Sequence, residues 1–238
     1  MSEKKTAIIT GASGSIGTGL VEGFLRQGFN VVGTSLKSGQ PLSASSNLVL
    51  VDGDIGKQET ADKVVEAAIK SFGSVDVLVN NAGIFRKKPF TEFTTEDFNA
   101  LVSINLLGFV YMTQHTVREM LKRKSGNVVT ISASLADQPI AGEDGSVSMM
   151  TKGGLNSITR SLAIEYAKAG IRFNAVAPGA VATQMHNDDD PAEALNRSPM
   201  GTLVGVEDIV GAVLYLARAE QITGEVLHVD GGAHAGRW

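Results

Sequence analysis

The 238-residue sequence predicts an α/β fold, in which one open parallel sheet is covered by helices on both faces in three layers. Short apolar segments alternate with longer amphipathic ones along the whole chain, the pattern that right-handed βαβ crossovers produce. The segment VDVLVN at 75–80 is apolar on both faces, as expected for a strand with helices on both sides. No linker-like composition interrupts this pattern, so we expect one domain over residues 1–238.

Seven strands and five helices are predicted. The strands are short aliphatic runs at 6–10, 30–35, 48–52, 75–80, 127–132, 172–177 and 225–229. The helices have apolar residues at helical spacing and cover 16–27, 57–72, 95–122, 146–168 and 206–217. Gly28 can end the first helix, because glycine adopts the left-handed conformation without penalty. Residues 184–205 fit neither pattern and are expected to be irregular.

Composition excludes several classes of protein. The net charge of −4 is spread along the chain, so we expect neither nucleic acid nor a membrane surface as partner. Cysteine is absent, which excludes disulfides, thiolate catalysis and a cysteine-based metal site; we predict no metal ligands and a cytoplasmic location. No apolar run reaches the ~18 residues of a membrane span, and the N-terminus has no signal-peptide core.

The first strand is followed by a glycine-rich turn and a helix. Gly11 and Gly17 flank this turn, and backbone amides at a helix N-terminus can hold a pyrophosphate. The pattern alone is weak, since a methyltransferase could use a similar loop for its nucleoside. A Walker P-loop is excluded, because no Lys-Ser/Thr pair follows the glycines.

Several motifs together resemble the short-chain dehydrogenase/reductase family. In chain order they are TGASGSIG at 10–17, NNAG at 80–83, Asn105 within SINLLG, Pro178-Gly179 with Thr183, and VDGG at 229–232. The resemblance implies a Rossmann-type, doubly wound sheet of seven strands, which agrees with the strand count. It also implies an NAD(P)-dependent oxidoreductase acting on a small carbonyl or alcohol. Similar proteins usually form homodimers or homotetramers through the helices predicted at 95–122 and 146–168.

The resemblance also implies a set of cofactor-binding residues. Carried over by position, they are Thr10, Gly11, Ser13, Ser15, Ile16 and Gly17 at the pyrophosphate and adenosine ribose, Asp54 and Ile55 at the adenine, Asn81, Ala82, Gly83 and Lys152 at the ribose beside the nicotinamide, and Pro178, Gly179 and Thr183 at the nicotinamide. Ser15 stands where the family pattern has its middle glycine, and its side chain would narrow the approach of backbone to phosphate. Asp54 could equally be a loop carboxylate with no ligand.

The end of the second predicted strand favours NADP over NAD. An acidic residue there would bind a ribose 2′-hydroxyl and repel a 2′-phosphate. The sequence has no acid between this strand and Asp52, whereas Ser35, Lys37 and Ser38 are potential phosphate ligands. Alternatively, Lys37 is a solvated loop cation.

The predicted catalytic positions depart from the family. The family's reductase site uses a Ser, an Asn, and a Tyr four residues before a Lys that lowers the tyrosine pKa. Lys152 and Asn105 match, but Ser148 occupies the Tyr position. Ala133 occupies the Ser position, and Ser134 could replace it, in preference to Ser132. The loop between strand and helix is about two residues longer than the family spacing.

A proton donor other than tyrosine is therefore required. Lys152 itself, or a water held by Ser134, Ser148 and Lys152, could relay the proton. Other candidates are Glu143, Asp144 and Ser146 in the longer loop, and His186 in the irregular segment, although a lone histidine on a surface loop is usually only solvated. The alternatives to an oxidoreductase are a non-catalytic NADP-binding sensor or partner subunit, and a non-redox enzyme such as a lyase or isomerase. Retention of Lys152 and Asn105 ranks the oxidoreductase first.

Overall fold

The computed structural model describes residues 4–37, 45–182, 195 and 197–236. It contains one parallel sheet of seven strands in the order β3-β2-β1-β4-β5-β6-β7. The strands are β1 (Thr6–Thr10), β2 (Asn30–Ser35), β3 (Leu48–Asp52), β4 (Val77–Asn80), β5 (Gly126–Ile131), β6 (Ile171–Pro178) and β7 (Val226–Val229). The predicted fold class and its seven strands are confirmed. The bounds of β1, β2 and β3 match the prediction, and those of the other strands differ by one or two residues, most at β4, which begins at Val77 rather than at residue 75.

Six helices of the described chain cover the two faces of the sheet. They are α1 (Ser15–Arg26), α2 (Gln58–Phe72), α3 (Thr95–Leu101), α4 (Gly108–Arg123), α5 (Ser146–Tyr166) and α6 (Val206–Arg218). One apolar core lies between the sheet and helices α1 and α6, and includes Phe24 and Ile209. A second core lies on the opposite face under α2, α4 and α5, and includes Val64 and Met112. The sheet is therefore covered on both sides, as the apolar strands predicted.

The single helix predicted at 95–122 is wrong in one respect. A π-helical segment, Val102–Leu107, separates α3 from α4, and π-helical turns occur frequently at functional sites. Asn105 lies within this segment and is buried. Its side-chain amide bonds to Ile84 and Thr151, contacts from outside the helix that the local apolar spacing does not reveal.

The strand predicted at 127–132 and the helix predicted at 146–168 also end earlier than expected, at Ile131 and Tyr166. Helix α5 stops at Tyr166, and a short 3-10 turn follows at Ala167–Ala169. Gly170 then adopts φ +72°, and a Cβ there would lie 2.4 Å from the Lys124 carbonyl oxygen, so a side chain is excluded. In the part of the chain that the structure describes, every helix is too short or too polar to cross a membrane.

Candidate active site

The carboxyl ends of β1 and β4 form the centre of the site. The sheet is wound outward in both directions from this pair of strands, which opens a crevice at their carboxyl ends. The Thr10 hydroxyl accepts hydrogen bonds from the backbone N–H groups of Asn81 (3.0 Å) and Ala82 (2.9 Å). In return, the Asn81 amide donates to the carbonyl oxygens of Thr10 (2.9 Å) and Gly11 (3.2 Å). These predicted cofactor-binding residues are therefore brought together.

The glycine-rich turn packs tightly against the end of β4. Gly11 has φ +66°, and a Cβ there would lie 2.9 Å from the Ala82 Cα. A Cβ on Gly17 would lie 2.0 Å from the Gly11 carbonyl oxygen. Helix α1 then begins at Ser15, and no side chain caps it. The first-turn N–H groups therefore lack helical partners and suit an anion, so the turn fits a pyrophosphate.

Ser13 and Ser15 are both exposed beside this helix N-terminus. The Ser13 N–H donates to the Ser35 hydroxyl at 2.9 Å, and that hydroxyl donates to the Thr34 carbonyl oxygen at 2.9 Å. Lys37 follows as an exposed residue. Asp52 at the end of β3 pairs in register with Ser35 at the end of β2. The first carboxylate that follows β2 in the sequence therefore lies beside the end of that strand. Ser38, the further phosphate ligand considered from the sequence, lies outside the described residues.

Asp54 and Ile55 have local structural contacts. The Asp54 carboxylate accepts a hydrogen bond from the Gly56 N–H (3.0 Å), and its backbone oxygen accepts one from the Thr60 hydroxyl (2.7 Å). Ile55 packs against Gly108, where a Cβ would lie 3.0 Å from two Ile55 carbons. These contacts fix the loop after β3 against the first turn of α4.

Lys152 projects from α5 toward the end of β5. Its Nζ donates to the Ile131 carbonyl oxygen at 2.9 Å. A Cβ on Gly83 would lie 3.1 Å from this Nζ and 3.3 Å from the Asn105 Oδ1, so a larger residue would crowd the ammonium. Burial lowers the pKa of Lys152 to about 8, because an apolar surrounding disfavours the charged form.

Asn105 holds the segment after β4. Its Oδ1 accepts from the Ile84 N–H at 2.9 Å, and its Nδ2 donates to the Ile84 carbonyl oxygen at 3.0 Å. The same Nδ2 donates to the Thr151 hydroxyl at 2.9 Å. The Asn105 side chain thereby joins three elements that surround Lys152.

Ser148 is placed differently from Lys152, although one helical turn separates them. The Ser148 side chain is fully buried. Its hydroxyl accepts from the Arg86 N–H at 2.9 Å and donates to the Arg86 carbonyl oxygen at 3.0 Å. Serine is shorter than tyrosine by an aromatic ring, and it bonds to the adjacent backbone. The structure does not bring this hydroxyl into the pocket with Lys152.

A pocket of about 380 Å³ lies at the carboxyl edge of the sheet beside Lys152. Ser132, Ala133 and Ser134 all line it, and both serines are largely buried. Ala133 has an extended backbone, and a 3-10 turn begins at Ser134. Ser132 and Ser134, on either side of Ala133, therefore both reach the pocket lining. The lining also includes the predicted residues Ile16, Asn81, Gly83, Pro178 and Gly179. Thr183 and His186 lie outside the described residues.

Charged residues at the pocket were only partly anticipated. Lys87, Glu143 and Arg197, here called the charged corner, all line it. The Arg197 Nε lies 2.6 Å from one Glu143 carboxylate oxygen, and the Lys87 Nζ lies 3.4 Å from the other. Glu143 was considered from the sequence as a loop acid, whereas neither cation was. The three residues are far apart in the sequence, and no spacing or motif indicates that they are in contact. The one indication is that Glu143 lies in the longer loop.

Comparison with known proteins identifies the family. The family model described as "Enoyl-(Acyl carrier protein) reductase" matches residues 11–234. The chain belongs to the short-chain dehydrogenase/reductase family. It is 34% identical over 242 residues to the 3-oxoacyl-[acyl-carrier-protein] reductase of Escherichia coli, covering 98% of each chain. It is also 34% identical over 236 residues to the mitochondrial borneol dehydrogenase of Lavandula x intermedia, covering 97% of this chain and 90% of the relative.

Solved structures of this family support the cofactor crevice. ElxO with NADP bound superposes with a TM-score of 0.92 at 29% identity, covering 98% of this chain and 100% of ElxO. The 3-ketoacyl-(acyl-carrier-protein) reductase of Brucella melitensis, in complex with NADH, has a TM-score of 0.91 at 32% identity, covering 98% and 99%. The protein is thus a nicotinamide-dependent short-chain oxidoreductase. The two neighbours contain different cofactors, so the likeness does not select between NADP and NAD.

Proposed function

We propose that this short-chain oxidoreductase interconverts a small carbonyl compound and its alcohol, and that Lys152 exchanges the proton directly. The observation that carries the proposal is the contrast between Lys152 and Ser148. The Lys152 side chain lines the pocket, whereas the Ser148 hydroxyl is bonded to the Arg86 backbone. Among the groups that the sequence offered for the relay, Lys152 is the one with both a position in the pocket and a pKa near neutrality.

The residues of the crevice suit a nicotinamide dinucleotide. The uncapped start of α1 would hold the pyrophosphate, with Gly11 and Gly17 permitting its approach. Asn81, Gly83, Pro178 and Gly179 line the pocket where the nicotinamide end would lie. When bound, the reduced nicotinamide supplies a hydride to the carbonyl carbon.

Lys152 then has the role of general acid. The Ile131 carbonyl oxygen holds one N–H of the ammonium at 2.9 Å, leaving the amine oriented at the pocket wall. A lysine with a pKa of about 8 gives up a proton more readily than one at its ordinary value of 10.5. In reduction, the ammonium donates a proton to the carbonyl oxygen, and in oxidation the neutral amine accepts it from the alcohol. Ser134 also lines the pocket, and its hydroxyl would orient the substrate oxygen or a water. The Ser132 hydroxyl donates to the Lys152 carbonyl oxygen at 3.5 Å.

We propose NADP as the preferred cofactor. Lys37 is exposed just beyond the end of β2, where it would pair with a ribose 2′-phosphate. Ser35 supports the turn instead, because its hydroxyl already accepts from the Ser13 N–H and donates to the Thr34 oxygen. Asp52 beside Ser35 is the feature that would favour NAD, and the balance between Lys37 and Asp52 decides the preference.

A second candidate function is a nucleotide-binding sensor without turnover. This function is favoured because the Ser148 hydroxyl is hydrogen-bonded to the Arg86 backbone, so that the usual tyrosine position has no group free to donate a proton. The crevice would be retained in this case, while the pocket would serve only to report cofactor binding.

Two measurements separate these functions. NADPH oxidation would be followed by absorbance against a panel of aldehydes and ketones, and cofactor binding by calorimetry. The proposal expects turnover that Lys152→Met abolishes even at cofactor concentrations that saturate the variant, because loss of the lysine contact to the ribose should weaken cofactor binding without preventing it. Lys63→Met, which replaces an exposed lysine of α2, is the matched control. Turnover that survives in Lys152→Met would overturn the role of Lys152. Tight binding without turnover on any substrate would establish the sensor, and no binding would reject both.

A further inference from the structure

Phe85 lines the pocket, and buried side chains fix the backbone on both sides of it. On one side, the Asn105 amide bonds to the N–H (2.9 Å) and the carbonyl oxygen (3.0 Å) of Ile84. On the other side, the Ser148 hydroxyl bonds to the N–H (2.9 Å) and the carbonyl oxygen (3.0 Å) of Arg86. Buried polar contacts that are fully paired restrict movement, so the position of Phe85 relative to α5 is fixed.

The Phe85 ring lies against Gly145, immediately before the first residue of α5. A Cβ on Gly145 would lie 2.7 Å from the ring Cζ and 2.8 Å from the ring Cε2, which is too close for two carbon atoms. Gly145 has a negative φ of −128°, so no left-handed conformation requires glycine here. The position of the Phe85 ring requires it, and any side chain at residue 145 would force the ring to move.

The pocket has an apolar wall next to its reactive amine. The members of this apolar wall are Ile84, Phe85, Leu135, Ile140 and Met149. Met149 lies three residues before Lys152 on α5, a spacing that places two side chains on one face of a helix. A group attached to a carbonyl carbon beside Lys152 would therefore meet hydrocarbon.

The ionised groups of the charged corner are paired with one another. The Arg197 Nε lies 2.6 Å from one Glu143 carboxylate oxygen and the Lys87 Nζ lies 3.4 Å from the other. The side chains of Glu143 and Arg197 are each only 11% exposed. A substrate carboxylate would have to displace Glu143 or lose its water beside the apolar wall, and an unpaired buried charge is costly. An uncharged substrate avoids both costs.

We propose that Phe85 determines the substrate specificity of this oxidoreductase, and that the substrate is a compact, uncharged carbonyl compound whose apolar group packs against the Phe85 ring. This inference rests on the proposed function for the position of the carbonyl oxygen, which lies at Lys152. Removal of apolar surface from water drives binding of the hydrocarbon part. The pocket of about 380 Å³ must also admit the nicotinamide, which limits the substrate to a small molecule.

Binding without turnover tests the requirement for an uncharged substrate. The probes are 4-nitroacetophenone and 4-acetylbenzoate, which have the same shape and differ in charge. Both would be titrated by calorimetry into the protein saturated with NADP⁺, which carries no hydride, so that neither is reduced. We expect 4-nitroacetophenone to bind at least about tenfold more tightly. Equal binding, or tighter binding of 4-acetylbenzoate, would overturn the inference of an uncharged substrate.

Phe85→Ala tests the role of the ring in selecting substrate size. In the same NADP⁺ complex, we expect acetophenone to bind about tenfold more weakly than to the wild type, and the larger 2-acetonaphthone to bind more tightly. Phe90→Ala is the matched control, because Phe90 is 72% exposed and absent from the pocket lining. An affinity ratio of these two ketones that is unchanged in a folded Phe85→Ala variant would overturn the role of Phe85.

Gly145→Ala tests the placement of the ring without removing it. The added Cβ forces the Phe85 ring to move, so the affinity ratio of acetophenone to 2-acetonaphthone should change. Gly153→Ala adds the same methyl group to α5 at a position where a Cβ would meet no atom within 4 Å, and it should leave the ratio unchanged. Thermal melting checks that each variant is folded. An unchanged ratio in Gly145→Ala would contradict the fixed position of the ring.

Turnover with NADPH separates failure of this inference from failure of the proposed function. We expect kcat/KM to be at least about tenfold higher for acetophenone than for 4-acetylbenzoate. A 3-oxoacyl thioester of N-acetylcysteamine represents the substrate class in the names of the bacterial relatives. Turnover that favours 4-acetylbenzoate or the thioester overturns this inference and leaves the proposed function intact. The expected binding preferences without any turnover would support the role of Phe85 and reject the proposed chemistry.

Discussion

Replacing Lys152 should make the protein more stable while removing its activity. Burial lowers the pKa of Lys152 from 10.5 to about 8. The difference of about 2.5, at about 1.4 kcal/mol for each pKa unit, corresponds to a cost of roughly 3 kcal/mol for the charged form in the folded state. Lys152→Met removes this cost and also removes the hydrogen bond to the Ile131 oxygen, worth about 1 kcal/mol. We therefore expect a net gain of about 2 kcal/mol near neutral pH.

The sign of the pH dependence distinguishes this cause from better packing. The folded pKa of Lys152 lies below its unfolded value, so the unfolded state binds more protons between about pH 8 and about pH 10.5, and wild-type stability rises across this range. The advantage of Lys152→Met should thus be largest below about pH 8 and should disappear near about pH 10. Urea unfolding of both proteins at several pH values measures it, with Lys63→Met as the control for loss of an exposed lysine.

Two results would refute this reasoning. A Lys152→Met variant less stable than wild type near neutral pH would show that the ammonium stabilises the fold, so that its pKa is not lowered. A gain in stability that stays constant with pH would assign the effect to the methionine side chain. In the wild type, the same pKa predicts that carbonyl reduction slows as the pH rises through about 8, while alcohol oxidation accelerates.

Three other positions give independent predictions. Ser148→Ala should lower the free energy of unfolding by about 1–3 kcal/mol, because it leaves the Arg86 backbone groups unpaired. The variant should retain turnover. Lost turnover at unchanged stability would instead make Ser148 the proton donor. Lys37→Glu should lower kcat/KM with NADPH relative to NADH, whereas an unchanged ratio would exclude Lys37 from cofactor selection. Ile164 on α5 is 81% exposed, and we propose a homodimer or homotetramer formed through α4 and α5. Ile164→Glu should reduce the mass measured by light scattering. A monomeric wild type would reject this assembly.

The fold could be predicted well because its signals are local. Each strand and helix is encoded by the spacing of apolar residues within a short segment. The glycine-rich turn is also recognisable from the sequence, because it contains glycines at positions where a side chain would clash with the backbone, as at Gly17. The π-helical segment at Asn105 could not be predicted, since it accompanies bonds to Ile84 and Thr151, which are distant in sequence.

The candidate site could be predicted only on its cofactor side. Thr10, Gly11 and Asn81 lie where their motifs indicated, because those motifs follow the ends of adjacent strands. The substrate side depends on which loops meet above the sheet. The contact between Glu143 and Arg197 joins two such loops, and no spacing in the sequence relates them. The bond between Ser148 and Arg86 was likewise invisible from the sequence.

That bond has a consequence for substrate selection. Ser148 lies one helical turn before Lys152 and fixes the backbone of Arg86, the residue next to Lys87. The reactive end and the charged end of the pocket are thus fastened to the same helix, and their separation is set by the rigid backbone of α5. We expect a pocket built in this way to select substrates by their chain length. Carbonyl substrates one methylene longer or shorter than the best substrate should lose roughly tenfold or more in kcat/KM, and loosening the bond in Ser148→Ala should flatten that dependence.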